Sequence, residues 1–202
     1  MLLLTVFLGN PGGEYARSRH NAGRLLAERL SFYDDLVWKK KFRGRFAQAA
    51  LNNCHFLIPE TYMNLSGLSV QAVAEFHKIQ PKEIIAVHDE VELPLGTLSL
   101  KFAGGMGGHN GLRSIKDTLG TAEFWRLRIG VGRPLGSMPG RHDGRQDGKD
   151  GEIARWVLSD FNPDEMNLLE EVFKTGTSLL TLALTEEPET LLPEWKKKAI
   201  TL

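Results

Sequence analysis

The N-terminal part of the chain changes from an unbroken apolar run to a helical spacing of apolar positions. Residues 2–8 are apolar over the length of a strand, and the turn-forming residues 9–13 (GNPGG) close this run. From 19 to 33 apolar residues recur every three or four positions, as they do on one face of a helix. A buried strand, a turn and a helix in this order are typical of α/β proteins.

The same analysis predicts further strands and helices along the chain. The expected strands are 45–51, 55–58, 83–91, 97–102 and 125–131, and the expected helices are 66–79, 110–119 and 172–184. The first two of these strands flank Asn52-Asn53 and indicate a hairpin. We therefore expect an α/β fold, one domain over residues 1–202, with a twisted mixed β-sheet flanked by helices on both faces. Segment 136–151, with five glycines and alternating charges, is predicted to be a flexible loop.

Composition excludes several classes of protein. One cysteine, Cys54, gives no disulfide framework, and no run approaches the length of a transmembrane helix. We therefore expect a cytoplasmic protein with no membrane contact. The formal net charge is zero, but residues 1–133 carry 17 Lys and Arg against 12 Asp and Glu. Such a basic part can bind a polyanion, although ordinary scatter of surface charge gives the same count.

A histidine and an aspartate are expected at one edge of the sheet. His20 stands at the start of the first predicted helix, and Asp89 stands near the end of the predicted strand 83–91. If the two apolar strands are parallel neighbours, these side chains can act as a general base and the carboxylate that orients it. No serine stands in a G-x-S-x-G turn, and Cys54 lies in the hairpin turn. The base is therefore expected to activate water rather than a nucleophilic side chain.

Three asparagines, Asn10, Asn64 and Asn110, stand in polar segments that follow strands or turns. Their neutral amides can hold a carbonyl group and a water molecule. Residues 104–111 contain five glycines, which suits a backbone that lies against a ligand.

A zinc site is the alternative for the histidines of these segments. His20, His88, His109 and Asp89 are residue types that bind zinc, but the chain has neither an H-E-x-x-H motif nor paired cysteines. The metal-free interpretation is therefore preferred.

Basic residues gather in the segment from 98 to 133, which has six basic residues against two acidic ones. Alternation along a strand places Arg126 and Arg128 on one face, and Lys101 precedes the glycine-rich stretch. These side chains indicate a phosphate site, with a solvated strand face as the alternative. Segment 38–43 (WKKKFR) interleaves aromatics and cations, and an exposed strand edge would have the same composition.

Taken together, these segments resemble the bacterial-type peptidyl-tRNA hydrolases. The motifs occur in the family's order and read LGNPGGEYARSRHNAG, PETYMNLSG, HDEVELPLG, KFAGGMGGHNGLRSI, FWRLRIGVGRP and WVLSDF. The resemblance covers nearly the whole chain. It implies a single-domain α/β enzyme, usually a monomer, that cleaves the ester between a peptide and the 3′-terminal ribose of tRNA. This reaction recycles tRNA from peptides dropped by the ribosome, and it uses no metal and no cofactor.

The resemblance also implies roles for individual residues. His20 is implied as the general base, Asp89 as the carboxylate that orients it, and Asn10 as a group that places the peptide or the water. The implied substrate cleft consists of Tyr15, Met63, Asn64, His109 and Asn110, and the implied clamp for the tRNA 5′-phosphate consists of Lys101 and Arg128. Peptidyl-tRNA is the expected partner.

The chain departs from the family pattern at three places. Phe7 replaces a small residue, Ser18 replaces a threonine, and segment 136–151 makes the chain longer than usual. The alternative functions are a non-catalytic RNA-binding protein and a hydrolase of another acyl ester. The presence of His20, Asp89 and the asparagines favours the enzyme over the RNA-binding protein.

Overall fold

The computed structural model of the chain describes residues 1–49, 53–134 and 146–201. The strands are β1 (Leu4–Phe7), β2 (Lys39–Lys41), β3 (Gly44–Gln48), β4 (His55–Pro59), β5 (Ile84–Glu90), β6 (Thr97–Phe102), β7 (Trp125–Gly130) and β8 (Lys198–Ala199). The helices are α1 (Ala22–Ala27), α2 (Ser66–His77), α3 (Asn110–Leu119), α4 (Gln146–Leu158), α5 (Pro163–Ala183) and α6 (Pro188–Trp195). Among the described residues no helix has both the length and the apolar character needed to cross a bilayer.

The strands form one mixed sheet in the order β2-β3-β4-β1-β5-β7-β6-β8. The central strands β4, β1, β5 and β7 are parallel to one another. Antiparallel strands extend the sheet on both sides, with β3 beside β4 and β6 beside β7. This arrangement confirms the predicted mixed sheet, and β3 and β4 form the predicted hairpin.

Helices cover both faces of this sheet. On one face, α1, α5 and α6 pack on a core that includes Val87 and Leu127. On the other face, α2 and α3 pack on a core that includes Val6 and Ala86. Because both faces are covered, successive residues of β1 and β5 are buried instead of alternating between buried and exposed. The predicted two-sided covering is confirmed.

The first helix is shorter than the predicted 19–33. A 3₁₀ turn spans Arg19–Asn21, and α1 ends at Ala27. Beyond it, the Phe32 ring packs on Phe56 with the ring centres 5.5 Å apart, and Tyr33 packs on Trp38 at 5.3 Å. These aromatic contacts hold the chain in turns, so tertiary packing overrides the helical spacing.

Helix α5 starts nine residues before the predicted 172, at Pro163. The Asn162 side chain accepts from the Glu165 backbone N–H, and the Glu165 carboxylate accepts from the Asn162 N–H. This capping box, followed by proline at the first helical position, is a helix-start signal in the sequence.

The predicted loop at 136–151 falls partly outside the described residues, because 135–145 are not described. From Gln146 onward the chain is helical, so the loop prediction is wrong over 146–151. The glycines at 148 and 151 lower the helical propensity of this segment, which explains why composition alone favoured a loop.

Candidate active site

The carboxyl ends of β1 and β5 bring His20 and Asp89 together. The two strands are parallel neighbours in register, with Phe7 beside Val87. The His20 Nδ1 atom lies 2.9 Å from Asp89 Oδ1 and 3.1 Å from Oδ2. The condition set by the sequence, that the two strands be parallel neighbours, is therefore met.

Gly23 lets the first turn of α1 lie directly on the strand ends. A Cβ atom at this position would lie 2.3 Å from the carbonyl oxygen of Val87, closer than any side chain can come. The Arg24 N–H also donates to the carbonyl of Leu8, at 3.1 Å. This close approach holds the preceding 3₁₀ turn, which carries His20, over the end of β5.

Arg19 anchors the same turn from the other side. Its guanidinium is buried, donates to both carboxylate oxygens of Glu165 at 2.7 and 2.9 Å, and stacks on Trp156 at 3.8 Å. It also donates to the hydroxyl of Ser159, at 2.9 Å. The C-terminal WVLSDF segment therefore fixes the position of His20 from outside the sheet.

Asp89 is ionised and His20 is held in one tautomer. Burial raises the pKa of Asp89, but His20 and His109 together lower it far more, so the pKa lies well below its usual range. Burial lowers the pKa of His20, but the charge and the hydrogen bond of Asp89 raise it more, so the net pKa lies above the ordinary value. Because Nδ1–H donates to the carboxylate, Nε2 of His20 is left as the proton acceptor.

His109 is a second imidazole on the same carboxylate. Its Nε2 lies 3.0 Å from Asp89 Oδ1, and its Nδ1 accepts from the backbone N–H groups of Gly111 and Leu112 at the start of α3. A neutral imidazole carries one N–H, so Nδ1 as acceptor places the proton on Nε2. His109 therefore donates to Asp89.

These hydrogen bonds bear on the metal alternative. Among the described residues, His20, Asp89 and His109 are the one group whose possible metal-ligand atoms lie together, within 4.8 Å of one another. A metal on His109 Nε2 would require the proton to move to Nδ1, which would break the cap of α3. His88 is not in this group, and its Nδ1 donates to the backbone carbonyl of Asp89 at 2.6 Å. The donor set fits hydrogen bonding better than it fits zinc.

Asn10 presents its NH₂ group. Its Oδ1 accepts from the backbone N–H of Met63 at 2.8 Å, so the Nδ2 protons remain for a ligand. The Asn21 side chain holds the backbone of Asn10 through two hydrogen bonds, at 2.8 and 3.0 Å. Asn10 is therefore a rigidly held donor.

The other predicted cleft residues lie on nearby short elements. Met63 is buried, and its Sδ lies against the first turn of α3, 2.5 Å from where a Cβ of Gly111 would stand. Asn64 lies exposed in the 3₁₀ turn Met63–Leu65, and Asn110 is the exposed first residue of α3. The structure thus brings the Asn64 and Asn110 elements together. Tyr15 is half-buried in a separate 3₁₀ turn, Gly13–Tyr15.

The predicted phosphate residues lie on β6 and β7. In the antiparallel ladder Lys101 pairs with Arg126 and Ser99 pairs with Arg128, so the three cations share one face. Arg128 donates to the Ser99 hydroxyl at 2.7 Å and lies 3.5 Å from the carboxylate of Glu90. Burial and the two neighbouring arginines lower the pKa of Lys101.

Comparison with known proteins finds similarity over almost the whole length of the chain. The model of the peptidyl-tRNA hydrolase family matches residues 4–201. The chain belongs to the peptidyl-tRNA hydrolase family. It is 44% identical to the peptidyl-tRNA hydrolase of Treponema pallidum (98% of this chain, 96% of the relative) and 42% identical to that of Desulfitobacterium hafniense (87% and 89%). The crystal structure of peptidyl-tRNA hydrolase from Acinetobacter baumannii superposes with a TM-score of 0.84 at 33% identity, covering 96% of this chain and 94% of that one.

The sequence does not predict two contacts that support the candidate site of this peptidyl-tRNA hydrolase family member. Arg19 and Glu165 form a buried ion pair, and Asn21 holds Asn10. The capping box of α5 indicates a helix start at Glu165, but it does not indicate the pairing of Glu165 with Arg19. No sequence pattern indicates the hydrogen bond between Asn21 and Asn10, which depends on how α1 packs on β1.

Proposed function

We propose that this chain hydrolyses the ester between the peptide and the 3′-terminal ribose of peptidyl-tRNA, using water that His20 activates. One observation carries the proposal. In a chain of this family, His20 Nδ1 is bonded to a buried, ionised Asp89, and Nε2 is left as a base at the carboxyl ends of the central strands.

The proposed reaction has two steps. His20 Nε2 takes a proton from a water molecule as the water oxygen attacks the ester carbonyl carbon. The tetrahedral intermediate then collapses, the bond between that carbon and the ribose 3′-oxygen breaks, and the leaving oxygen takes the proton from the His20 imidazolium. Asp89 stabilises that imidazolium between the two steps.

Asn10 is the proposed donor to the carbonyl oxygen. Its Nδ2 protons remain available while Oδ1 is bonded to Met63, and negative charge develops on the carbonyl oxygen during attack. Asn64 and Asn110 are proposed to position the peptide and the water. Tyr15 and Met63 are proposed to line the cleft for the terminal nucleotide and the peptide. His109 is proposed to act through Asp89, since it donates to that carboxylate.

Lys101 and Arg128 are proposed to bind the 5′-phosphate of the tRNA. They share one face of the sheet, and charge-assisted hydrogen bonds suit a terminal phosphate. The proposed enzyme is metal-independent, which agrees with the tautomer of His109. It acts in the cytoplasm as a monomer. Gel filtration at micromolar concentration measures its oligomeric state.

Peptide release from N-acetylaminoacyl-tRNA by the purified protein tests the proposal. The wild type is expected to turn over, and His20→Ala is expected to lose about 10²- to 10⁴-fold in kcat while tRNA binding is kept. His77→Ala, which removes an imidazole outside the site, is the matched control. Binding of tRNA without turnover by the wild type would overturn the hydrolase and support an RNA-binding protein instead. Equal hydrolysis of unrelated acyl esters would show a less specific esterase.

A further inference from the structure

Arg126 is buried without a counter-ion. Its side chain is 2% exposed, and among the described residues no carboxylate lies within ion-pair distance of it. Its Nη1 donates to the carbonyl of Gly105 at 2.8 Å, whereas Nε and Nη2 are buried without a hydrogen-bond partner. Arg19, the other deeply buried arginine of the described chain, is paired with Glu165.

Such an arrangement is unfavourable unless the site receives an anion. Removing an unpaired guanidinium from water is unfavourable unless an opposite charge lies nearby. The bond to Gly105 does not require a cation, since a neutral amide side chain could make it. No contact of Arg126 with the other described residues therefore accounts for its positive charge.

Two further cations stand beside Arg126. Lys101 is its direct partner across the β6–β7 ladder, and Arg128 lies two residues along on the same face. Burial and the Arg128 charge lower the pKa of Arg126. Glu90, 3.5 Å from Arg128, is the carboxylate of the cluster. Three cations and one carboxylate give a net charge of +2, which would balance the charge of a phosphate monoester dianion.

We propose that Arg126 is the third cation of this phosphate site and makes the site select a phosphate monoester over a diester. A monoester carries close to two negative charges at neutral pH, whereas each phosphate along an RNA backbone carries one. This inference rests on the proposed function and adds the residue that would distinguish a tRNA end from an internal phosphate. Lys101 and Arg128 touch the anion. Arg126 is buried beneath them and attracts the anion through its charge.

Gly104 borders the proposed site. Its φ angle is +92°, and a Cβ there would lie 3.2 Å from Arg126 Nη2 and 3.4 Å from Lys101 Nζ. A side chain at this position would fill the space beside both cations. The glycine-rich stretch thus lies against the cations, with Arg126 Nη1 holding its carbonyl at Gly105.

Binding of two small phosphates tests the proposal without catalysis. Methyl phosphate and dimethyl phosphate are titrated into labelled protein at pH 7.5 and constant ionic strength, and the Kd values are read by NMR. The wild type is expected to bind methyl phosphate about tenfold more tightly, and Arg126→Gln is expected to lose most of this preference. Arg126→Lys keeps the charge and should keep most of the preference. Arg155→Gln, which removes an exposed arginine of α4, should behave as the wild type.

Two outcomes would overturn the inference: equal binding of the two phosphates by the wild type, or an unchanged preference in Arg126→Gln. If circular dichroism shows that Arg126→Gln does not fold, Arg126→Met, which keeps an unbranched stem without charge, replaces it.

The kinetics of peptide release give a second readout. Loss of the Arg126 charge should raise KM for 5′-phosphorylated peptidyl-tRNA and leave kcat nearly unchanged, whereas a merely structural defect would not act on KM alone. Because the titration needs no hydrolysis, its failure leaves the hydrolase proposal standing. Failure of peptide release leaves the titration interpretable.

Discussion

His109 Nε2 lies 3.0 Å from Asp89 Oδ1, the oxygen that also accepts from His20. The carboxylate is therefore fixed by two imidazoles, one of which is itself fixed by the backbone of α3. This second donor restricts the orientation of Asp89 and, through Asp89, that of His20, the proposed general base. The glycine-rich stretch and the proposed catalytic pair are thereby part of one hydrogen-bonded unit.

Substitution of His109 by asparagine should separate its two roles, which are to cap α3 and to donate a hydrogen bond to Asp89. Asparagine is a good N-cap residue, so α3 should keep its stability to within about 1 kcal/mol, while the shorter side chain no longer bonds Asp89. We expect kcat to fall roughly tenfold, well short of the loss in His20→Ala, because the base itself remains. Urea unfolding and single-turnover kinetics measure the two effects. Unchanged turnover would show that the bond to Asp89 does not matter for catalysis.

The kcat of peptide release should fall at low pH as His20 becomes protonated, with a midpoint above about pH 6.5. Asp89 holds the pKa of His20 above its ordinary value, and the base must be neutral to accept a proton. In Asp89→Asn the charge is lost and burial remains, so the midpoint should move to lower pH while kcat on the plateau falls. The dependence of kcat on pH from 5 to 9 measures both. An unmoved midpoint in this variant would mean that another group controls the rate.

Chelation should leave turnover unchanged. His109 can keep its cap on α3 only with the proton on Nε2, which excludes metal binding through that atom. Peptide release is measured after dialysis against EDTA, with the protein's metal content determined in parallel. Activity that disappears in EDTA and returns with zinc would favour the metal site at His20, Asp89 and His109.

His55 should make the folded state sensitive to acid, away from the active site. Burial and the neighbouring His77 lower the pKa of His55 to about 4, against about 6.5 in an unfolded chain. As the pH falls through this window, the unfolded chain takes up a proton that the folded chain does not. The free energy of unfolding should therefore drop, by about 2 kcal/mol between pH 7.5 and 5.

The variant His55→Phe should lose that part of the acid sensitivity. Phenylalanine can pack on Phe46, whose ring is stacked on His55 with the ring centres 5.5 Å apart. Urea unfolding of both chains at pH 7.5 and 5.0 measures the difference in their pH dependence. Parallel pH dependences in the wild type and the variant would contradict the assignment.

The parts of the fold that the sequence predicted are those with local signals. The apolar runs of β1 and β5 and the glycine-rich turn after β1 place His20 near Asp89 once the two strands are parallel neighbours. The early end of α1 and the burial of Arg126 have no local signal, because aromatic packing and strand pairing determine them. The resemblance implied His109 as a cleft residue, but only the folded chain shows that it donates to Asp89.

The clamp of Lys101 and Arg128 should act on one terminal phosphate rather than along an RNA backbone. Lys101→Ala, Arg128→Ala and the double variant are compared on peptidyl-tRNA with and without its 5′-phosphate. Either single substitution should raise KM for the phosphorylated substrate about 5- to 50-fold and leave kcat and the other substrate nearly unchanged.

The double variant should add little, since both side chains serve one anion and their effects are not additive. In Arg128→Ala the carboxylate of Glu90 loses its partner and faces the site, so this variant should be the more severe of the two. A track of backbone contacts behaves differently, because each lost cation would weaken all RNA alike and lower the salt slope by about one unit. Equal losses on both substrates would therefore replace the clamp with a general RNA-binding surface on β6 and β7.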